Sequence, residues 1–175
     1  FIWQAYGNQE YQRLQSSYVT APFYAVKWLK FDGPVEERAE SLEVVVAGDG
    51  SILGAAHIIP EFYKGADLSQ QQALGKAYIL LKEMYDLDHQ EVSLISWDSV
   101  KHEHRRDWTI VFKDDAHYQL ETGQARIMSK LSGENLANIH RWIHAPEEWQ
   151  RSENNRMSQE QLLKAILYFI VGLWF

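Results

Sequence analysis

The 175-residue chain contains no cysteine. This absence excludes disulfide scaffolds, thiolate metal sites and cysteine nucleophiles, since all three depend on a sulfur atom. Basic residues are also in the minority: 17 Lys and Arg stand against 24 Asp and Glu, which gives a net charge of -7. Proteins that neutralise nucleic-acid phosphates usually carry a basic stripe, so no nucleic-acid partner is expected.

The sequence also lacks the short motifs of common catalytic sites. It has no glycine-rich phosphate loop, no Gly-x-Ser-x-Gly turn and no His-Glu-x-x-His helix. Its 46% hydrophobic and 13% aromatic residues are enough to form a packed core, which excludes disorder as the default. We therefore expect a folded segment that holds no cofactor and carries out no catalysis by itself.

Both ends of the chain are apolar. The chain begins at Phe1 without an initiator methionine, and residues 165–175 form an apolar run. Together these features predict that the chain is a piece of a longer protein. A membrane-spanning helix needs about 20 apolar residues, so this run predicts the first half of a span entered through residues 158–161. A buried C-terminal helix of a soluble domain is the open alternative. The acidic charge favours the outer side of the membrane, because short cytoplasmic loops are rich in Lys and Arg.

The strongest helix signal runs from Ser69 to Tyr85. Ser69 and Gln72 form a capping-box pattern at its start. After this helix, residues 92–97, 108–113, 125–131 and 136–145 predict an antiparallel meander, with a hairpin turn at 132–135. The apolar residues that recur at helical spacing and predict its buried face are Ala73, Leu74, Ala77, Tyr78, Leu81, Met84 and Tyr85.

The first half of the chain repeats this order more loosely. A short helix is predicted at 9–18, and strands at 24–31, 42–47 and 52–59. Gly48 precedes Pro60 by 12 residues and Gly133 precedes Pro146 by 13, which suggests two copies of one unit. In each copy, a helix packed across the sheet would cover its apolar face.

These patterns predict an α+β fold of two tandem helix-plus-antiparallel-sheet modules, similar to cystatin-like or PepSY-like folds, with membrane-proximal helical ends. The expected boundaries are 1–66 for the first module and 67–150 for the second. Residues 151–175 are then a polar linker and the start of a transmembrane helix. Pro146 followed by two glutamates predicts a helix start just after the second module.

Four histidines form the one metal hypothesis. If residues 102 and 104, and residues 140 and 144, lie on neighbouring strands, their imidazoles can converge. The pattern shows no carboxylate to orient them, and the cations nearby oppose a divalent ion, so no metal site is expected. The histidines are His102, His104, His140 and His144, and the cations are Lys101, Arg105 and Arg106.

Two further clusters contain charged groups. Glu36 and Glu37 stand together in a polar segment, where nothing desolvates them to shift a pKa, so catalysis there is not expected. Two guanidiniums and a carboxylate begin the strand whose residues Trp108, Ile110 and Phe112 share one face. An ion pair with an aromatic lid is the favoured interpretation, and a peptide- or lipid-headgroup-binding site is the alternative. The predicted ligand-binding residues are Arg105, Arg106, Asp107 and Trp108.

A family resemblance is carried by several short stretches within residues 24–156. Together they resemble the extramembrane segment ahead of the catalytic helices in bacterial intramembrane proteases of the CPBP type, which are relatives of the CAAX-processing proteases. The stretches are 54–61 (GAAHIIPE), 64–69 (KGADLS), the helix with Ala73 and Ala77, 106–108 (RDW), 123–126 (GQAR) and 146–151 (PEEWQR).

The resemblance implies a hydrolase of the bacterial cell membrane whose active site lies outside this segment. That family's catalytic core resembles a Glu-Glu-x-x-x-Arg motif with histidines on membrane-embedded helices. Here Ser41 stands where the arginine would follow Glu36 and Glu37, so no catalytic residue is carried over.

The implied role is that of an extracytoplasmic domain, held at the membrane by flanking helices. It would recognise a peptide or protein substrate of an intramembrane endopeptidase, or regulate the access of that substrate to the active site. The alternative is a stand-alone PepSY-like or cystatin-like module that binds peptides or acts as an inhibitor.

Overall fold

The computed structural model describes residues 1–15, 17–19, 22–35, 38 and 40–172. It divides into two compact units, one formed by Ile2–His144 and one formed by Phe1 with the residues from Ala145 onward. In the described residues the elements, in chain order, are α1 (Ile2–Leu14), β1 (Phe23–Leu29), β2 (Ser41–Ala47), β3 (Ile52–Ile58), α2 (Gln70–Tyr85), β4 (Val92–Lys101), β5 (Arg106–Asp114), β6 (Gln124–Ser132), β7 (Asn135–His144) and α3 (Glu147–Gly172).

The seven strands form one antiparallel sheet in the order β1-β2-β3-β7-β6-β5-β4. The expected α+β class is therefore confirmed, as is the meander of the second half. Its last hairpin turns at Gly133, whose φ of 61° suits glycine in a tight turn. The division of the chain at residues 66 and 150 stays a prediction.

Helix α2 covers the inner face of the second half of the sheet. Ser69 accepts a hydrogen bond from the backbone N–H of Gln72, and the Gln72 side chain returns to the backbone of Ser69, so the predicted capping box is confirmed. The helix packs against β5 and β6, and its Tyr78 ring lies 5.1 Å from the ring of Phe112. The buried core on this side comprises Ala73, Ala77, Leu81, Trp108, Ile110, Phe112, Ile127, Leu131 and Ile139.

Helix α1 differs from the helix predicted at residues 9–18. It begins at Ile2 and is kinked at Gly7, whose φ of 79° interrupts the helix. It ends at Leu14, because the backbone N–H groups of residues 17, 18 and 19 all turn back to the Leu14 carbonyl. Tyr6 and Arg13 of this helix bond to Thr122 and His117 in the β5–β6 connection, whereas the expected contact was with the first half of the sheet.

Helix α3 runs without interruption from Glu147 to Gly172. The helix start predicted from Pro146 and the following glutamates is confirmed. The start predicted at residues 158–161 is wrong, because no proline or glycine interrupts residues 147–171 and Ser158 donates within the helix to the Asn154 carbonyl. Ion pairs one turn apart, such as Arg151–Glu147, support the polar half. Among the described residues, no helix combines the length and apolarity that a bilayer crossing requires.

The contribution of α2 to the core can be tested at Leu81. Replacing this fully buried side chain with alanine is expected to lower the free energy of unfolding by about 2 to 5 kcal/mol, because the cavity left behind cannot close completely. Ile79 on the same helix is 55% exposed, and Ile79→Ala is expected to cost about 0.5 kcal/mol. Urea denaturation measures both values, and equal costs would show that α2 is peripheral.

Candidate functional site

The two halves of the sheet meet at a short seam between β3 and β7. Only Gly54, Ala55 and Ala56 pair with residues 138–140. A Cβ atom at position 54 would lie 2.8 Å from the Ile139 carbonyl oxygen, so this close approach requires glycine. Beyond Gly54 the ladder stops, and the Tyr85 hydroxyl donates to the Leu53 carbonyl at 3.0 Å. The strands leave a crevice at this point.

The crevice has a volume of about 340 Å³. Its lining combines residues of the 17–19 turn with residues of four strands, and it is mostly apolar. The residues that matter for its chemistry are Tyr18, Glu43, Val45, Leu53, His140 and Arg141.

The guanidinium of Arg141 is held by aromatic rings. Its Cζ atom lies 4.2 Å from the centroid of the Tyr85 ring and 5.3 Å from that of Tyr18. Such cation–π contacts stabilise a positive charge without neutralising it. The Nε atom is buried and has no hydrogen-bond partner in the part of the chain that the structure describes. The crevice is therefore lined by a cation that packs against two aromatic rings.

The two rings are themselves anchored and uncharged. The Tyr18 hydroxyl donates to Oδ2 of the buried Asp114 at 2.9 Å. Burial, followed by the Asp114 charge, raises the pKa of Tyr18 far above its usual value. Burial raises the pKa of Tyr85 to about 12, although Arg141 opposes this shift. Both phenols therefore keep their protons at neutral pH, and their ring faces remain available to the cation.

His140 and Glu43 complete the polar lining. Burial, and then the charge of Lys130, lower the pKa of His140, so the imidazole is neutral at pH 7. Its Nδ1 lies 2.7 Å from Oδ1 of Asn138, which accepts the Nδ1 proton and leaves Nε2 as an acceptor. The Glu43 carboxylate forms an ion pair with Lys27 at 3.9 Å.

The predicted cluster at residues 105–108 is a clasp between loops. Arg105 is 4% exposed, and its Nη1 donates to the carbonyls of Pro60, Glu61 and Tyr63 at 2.8 to 3.1 Å. Its Nε donates to Oδ1 of Asp107 at 2.8 Å. The guanidinium therefore holds the 60–63 segment against the start of β5.

The neighbouring residues extend this clasp. Arg106 Nε donates to Oδ1 of Asp67 at 2.8 Å, and the indole N–H of Trp108 donates to the Leu68 carbonyl. Lys101 and then Arg106 lower the pKa of Asp67 by hydrogen bonding to its carboxylate. The favoured interpretation, an ion pair with a packed aromatic ring, agrees with this geometry. A ligand for these four residues stays a prediction.

The histidines do not converge as the metal hypothesis requires. Strand β4 ends at Lys101, so His102 and His104 lie in the turn before β5, whereas His140 and His144 lie in β7. In the described parts of the chain no three side chains of the types His, Cys, Asp or Glu are arranged to hold a metal ion.

The expectation that no carboxylate orients these histidines is wrong. Nδ1 of His102 lies 3.0 Å from Glu61 and its Nε2 lies 3.2 Å from Asp107, because the turn folds the ring back between the two acids. Local spacing could not reveal this contact, since Glu61 precedes His102 by 41 residues. The acidic pair Glu36 and Glu37 lies outside the described residues.

Strand β1 forms one edge of the sheet and is exposed along its whole length. All seven of its residues are exposed, and among the described residues it pairs with β2 alone. Tyr24, Val26 and Trp28 lie on one face, where Tyr24 is 72% exposed. Phe23 and Leu29 are exposed on the other face. Alternation in the sequence predicted this strand but did not show that it would be an edge.

Arg105 gives a test of the clasp. Arg105→Met is expected to lower the free energy of unfolding by about 3 to 5 kcal/mol, because it leaves Asp107 and three carbonyls without their buried donor. Arg106→Met, which removes a half-exposed ion pair, is expected to cost about 1 kcal/mol or less. Thermal and urea denaturation measure both. If Arg105→Met folds with unchanged stability, Arg105 is free to serve a ligand.

The shifted pKa of His140 predicts an acid-sensitive stability. Because the folded pKa of His140 lies below the ordinary histidine value of 6.5, the unfolded chain takes up this proton first as the pH falls. The free energy of unfolding should therefore decrease below about pH 6.5, by up to about 1.4 kcal/mol per pH unit from this group. His140→Gln should remove this part, and Lys130→Gln should reduce it. Stability curves of wild type and His140→Gln that stay parallel from pH 8 to 5 would contradict the prediction.

Comparison of the chain with protein-family models, with curated proteins and with solved structures gives no match. Function is therefore inferred from the residues themselves. They provide an exposed edge strand, and a crevice that holds a cation between aromatic rings.

Proposed function

We propose that this chain is a non-catalytic, extracytoplasmic binding domain of a CPBP-type intramembrane protease. Its role is to recognise a peptide or protein substrate, or to regulate the access of that substrate to an active site in the membrane. The family resemblance within residues 24–156 supports the first part of the proposal. The exposed edge strand β1 supports the second, and it is the observation that carries the proposal.

An exposed edge strand is a template for an extended peptide. Each residue of β1 has one backbone N–H and one C=O, and half of these groups point away from β2. A peptide that pairs with them becomes an eighth strand and gains main-chain hydrogen bonds that depend little on its sequence. The flanking side chains of Tyr24, Val26 and Trp28 add apolar contacts that select among peptides.

A position near the membrane would make peptide binding by this domain useful to the protease. A substrate held on β1 reaches a tethered active site at a raised effective concentration, even when its affinity for the domain is modest. Weak, sequence-tolerant binding suits a domain that must release its substrate to a protease. In this proposal the catalytic residues belong to the membrane-embedded part of an intramembrane endopeptidase.

The alternative function is a stand-alone peptide-binding or inhibitory module of the PepSY or cystatin type. The arrangement of the strands favours it: each half of the sheet is a meander that follows a helix, and the last strands of the two halves, β3 and β7, pair antiparallel at the centre. This order agrees with two copies of one unit related by a twofold axis. The interpretation of the fold as two tandem modules is therefore part of this alternative proposal.

Two neighbouring proline substitutions test binding at β1. The N–H groups of Ala25 and Val26 point to opposite sides in the plane of the sheet, so Ala25→Pro and Val26→Pro are matched variants. One of them removes a bond to β2 and lowers stability, while the other removes only an outward N–H, which an edge strand tolerates.

Binding is measured on an array of unrelated ten-residue peptides, followed by fluorescence anisotropy with the strongest binder. The variant that keeps the wild-type melting temperature is expected to lose this binding. If it binds as well as wild type, or if wild type binds no peptide on the array, docking at β1 is refuted.

The two functions differ in what the gene encodes beyond Phe175. Further apolar spans that carry a glutamate pair and histidines are expected for the protease. A stop codon directly after Phe175 would refute the protease and leave the stand-alone module.

A further inference from the structure

We infer that the crevice at the β3–β7 seam is a binding site for a carboxylate carried by a small apolar group. Nothing in the proposed docking at β1 requires this site. It depends instead on Arg141, on the composition of the crevice lining and on the volume that the lining encloses.

The cation is already in place for an anionic ligand. The Arg141 guanidinium lies over the Tyr85 and Tyr18 rings, with its Cζ atom 4.2 and 5.3 Å from their centroids. The guanidinium lines the crevice, so a carboxylate bound there would form charge-assisted hydrogen bonds with it. The planar fork of arginine matches the two oxygens of a carboxylate, and a side chain already held by rings loses little entropy on binding.

The other polar groups of the lining select a single negative charge. His140 is neutral at pH 7, so among the described lining residues Arg141 supplies the positive charge. Glu43 lies in the same lining and repels a second negative charge, although Lys27 compensates it in part. One guanidinium opposed by one carboxylate suits a monoanion, whereas a phosphate dianion usually needs several cationic or amide donors.

The volume and the apolar lining define the rest of the ligand. About 340 Å³ is at the lower end of the range for small-molecule sites, which is about 300 to 1,000 Å³. Val19, Phe23, Val45 and Leu53 provide apolar surface around this space. A branched or linear group of four to six carbons fits these limits. Such a carboxylate comes either from a free acid or from the C-terminal residue of a peptide.

Pairs of acids and amides test the inference on the full chain. The probes are hexanoate with hexanamide, and N-acetyl-Ala-Ala-Leu with its C-terminal amide, titrated by isothermal calorimetry at pH 7. Each acid should bind about tenfold to a hundredfold more tightly than its amide, since the amide loses the charge-assisted hydrogen bonds. Tighter binding of hexanoate indicates a free acid as the natural source, and tighter binding of the peptide indicates a C-terminus.

Three variants locate the binding. Arg141→Met should weaken acid binding by about tenfold or more and leave amide binding unchanged. Val45→Trp fills the crevice without changing Arg141 and should abolish binding of both acids. Arg126→Met is the matched control, because Arg126 lies on β6 outside the lining and bonds to Gln124, so this variant should bind as wild type does.

Several results would overturn the inference. They are equal affinity for acid and amide in wild type, no binding of either acid, full affinity in Val45→Trp, or tighter binding of inorganic phosphate than of hexanoate. The comparison of acid with amide uses wild type only, so it decides the question even if Arg141→Met fails to fold.

Discussion

The ladder between β3 and β7 is the contact on which the arrangement of the sheet depends. It consists of three residue pairs, and it joins two meanders that otherwise share no strand. Its closeness depends on Gly54, because any Cβ atom there would meet the opposing backbone. A ladder this short leaves the strands free to separate beyond it. The crevice, the bond from the Tyr85 hydroxyl to the Leu53 carbonyl and the position of Arg141 all follow from that separation.

Two arginines of this protein show contrasting ways to hold a guanidinium. Arg105 is satisfied by three carbonyls and a carboxylate, so its donors serve the fold and join distant loops. Arg141 is held by ring faces, which stabilise the charge but accept none of its in-plane hydrogen bonds. The Arg105 guanidinium donates to protein acceptors, whereas the Nε of Arg141 has no acceptor among the described residues. Charge alone would not separate them, whereas the identity of the contacting atoms does.

Local signals in the sequence predicted the second half of the fold well. The capping box at Ser69 and the helical spacing of Ala73, Ala77 and Leu81 gave α2, because caps and periodicity act over a few residues. The helix at residues 9–18 was misplaced, since the chain kinks at Gly7 and turns back at Leu14, and neither feature appears in the apolar spacing. The start proposed at 158–161 came from a polar segment that proved to be the middle of a helix.

The candidate site was not predictable in the same way. Tyr18, Tyr85 and Arg141 come from three distant parts of the chain, and none of them lies in a motif. The cluster at residues 105–108 was found because its members are adjacent in sequence, but its partners at 60–68 were not. Spacing within one element is visible in a single sequence, whereas contacts between elements need the register of the whole sheet.

The pairing of Gly54 with His140 has a consequence for how the protein folds. These residues lie about half the chain apart, so closing the seam costs more chain entropy than forming either meander. Helix α2 and strands β4 to β7 are joined by short connections and bury a core of their own, which favours their assembly first. Strands β1 to β3 then dock through three ladder pairs and the bond from Tyr85 to the Leu53 carbonyl. Reversible opening at the seam is therefore expected to need less free energy than global unfolding, which would make hydrogen exchange faster in β3 than in β5 and β6.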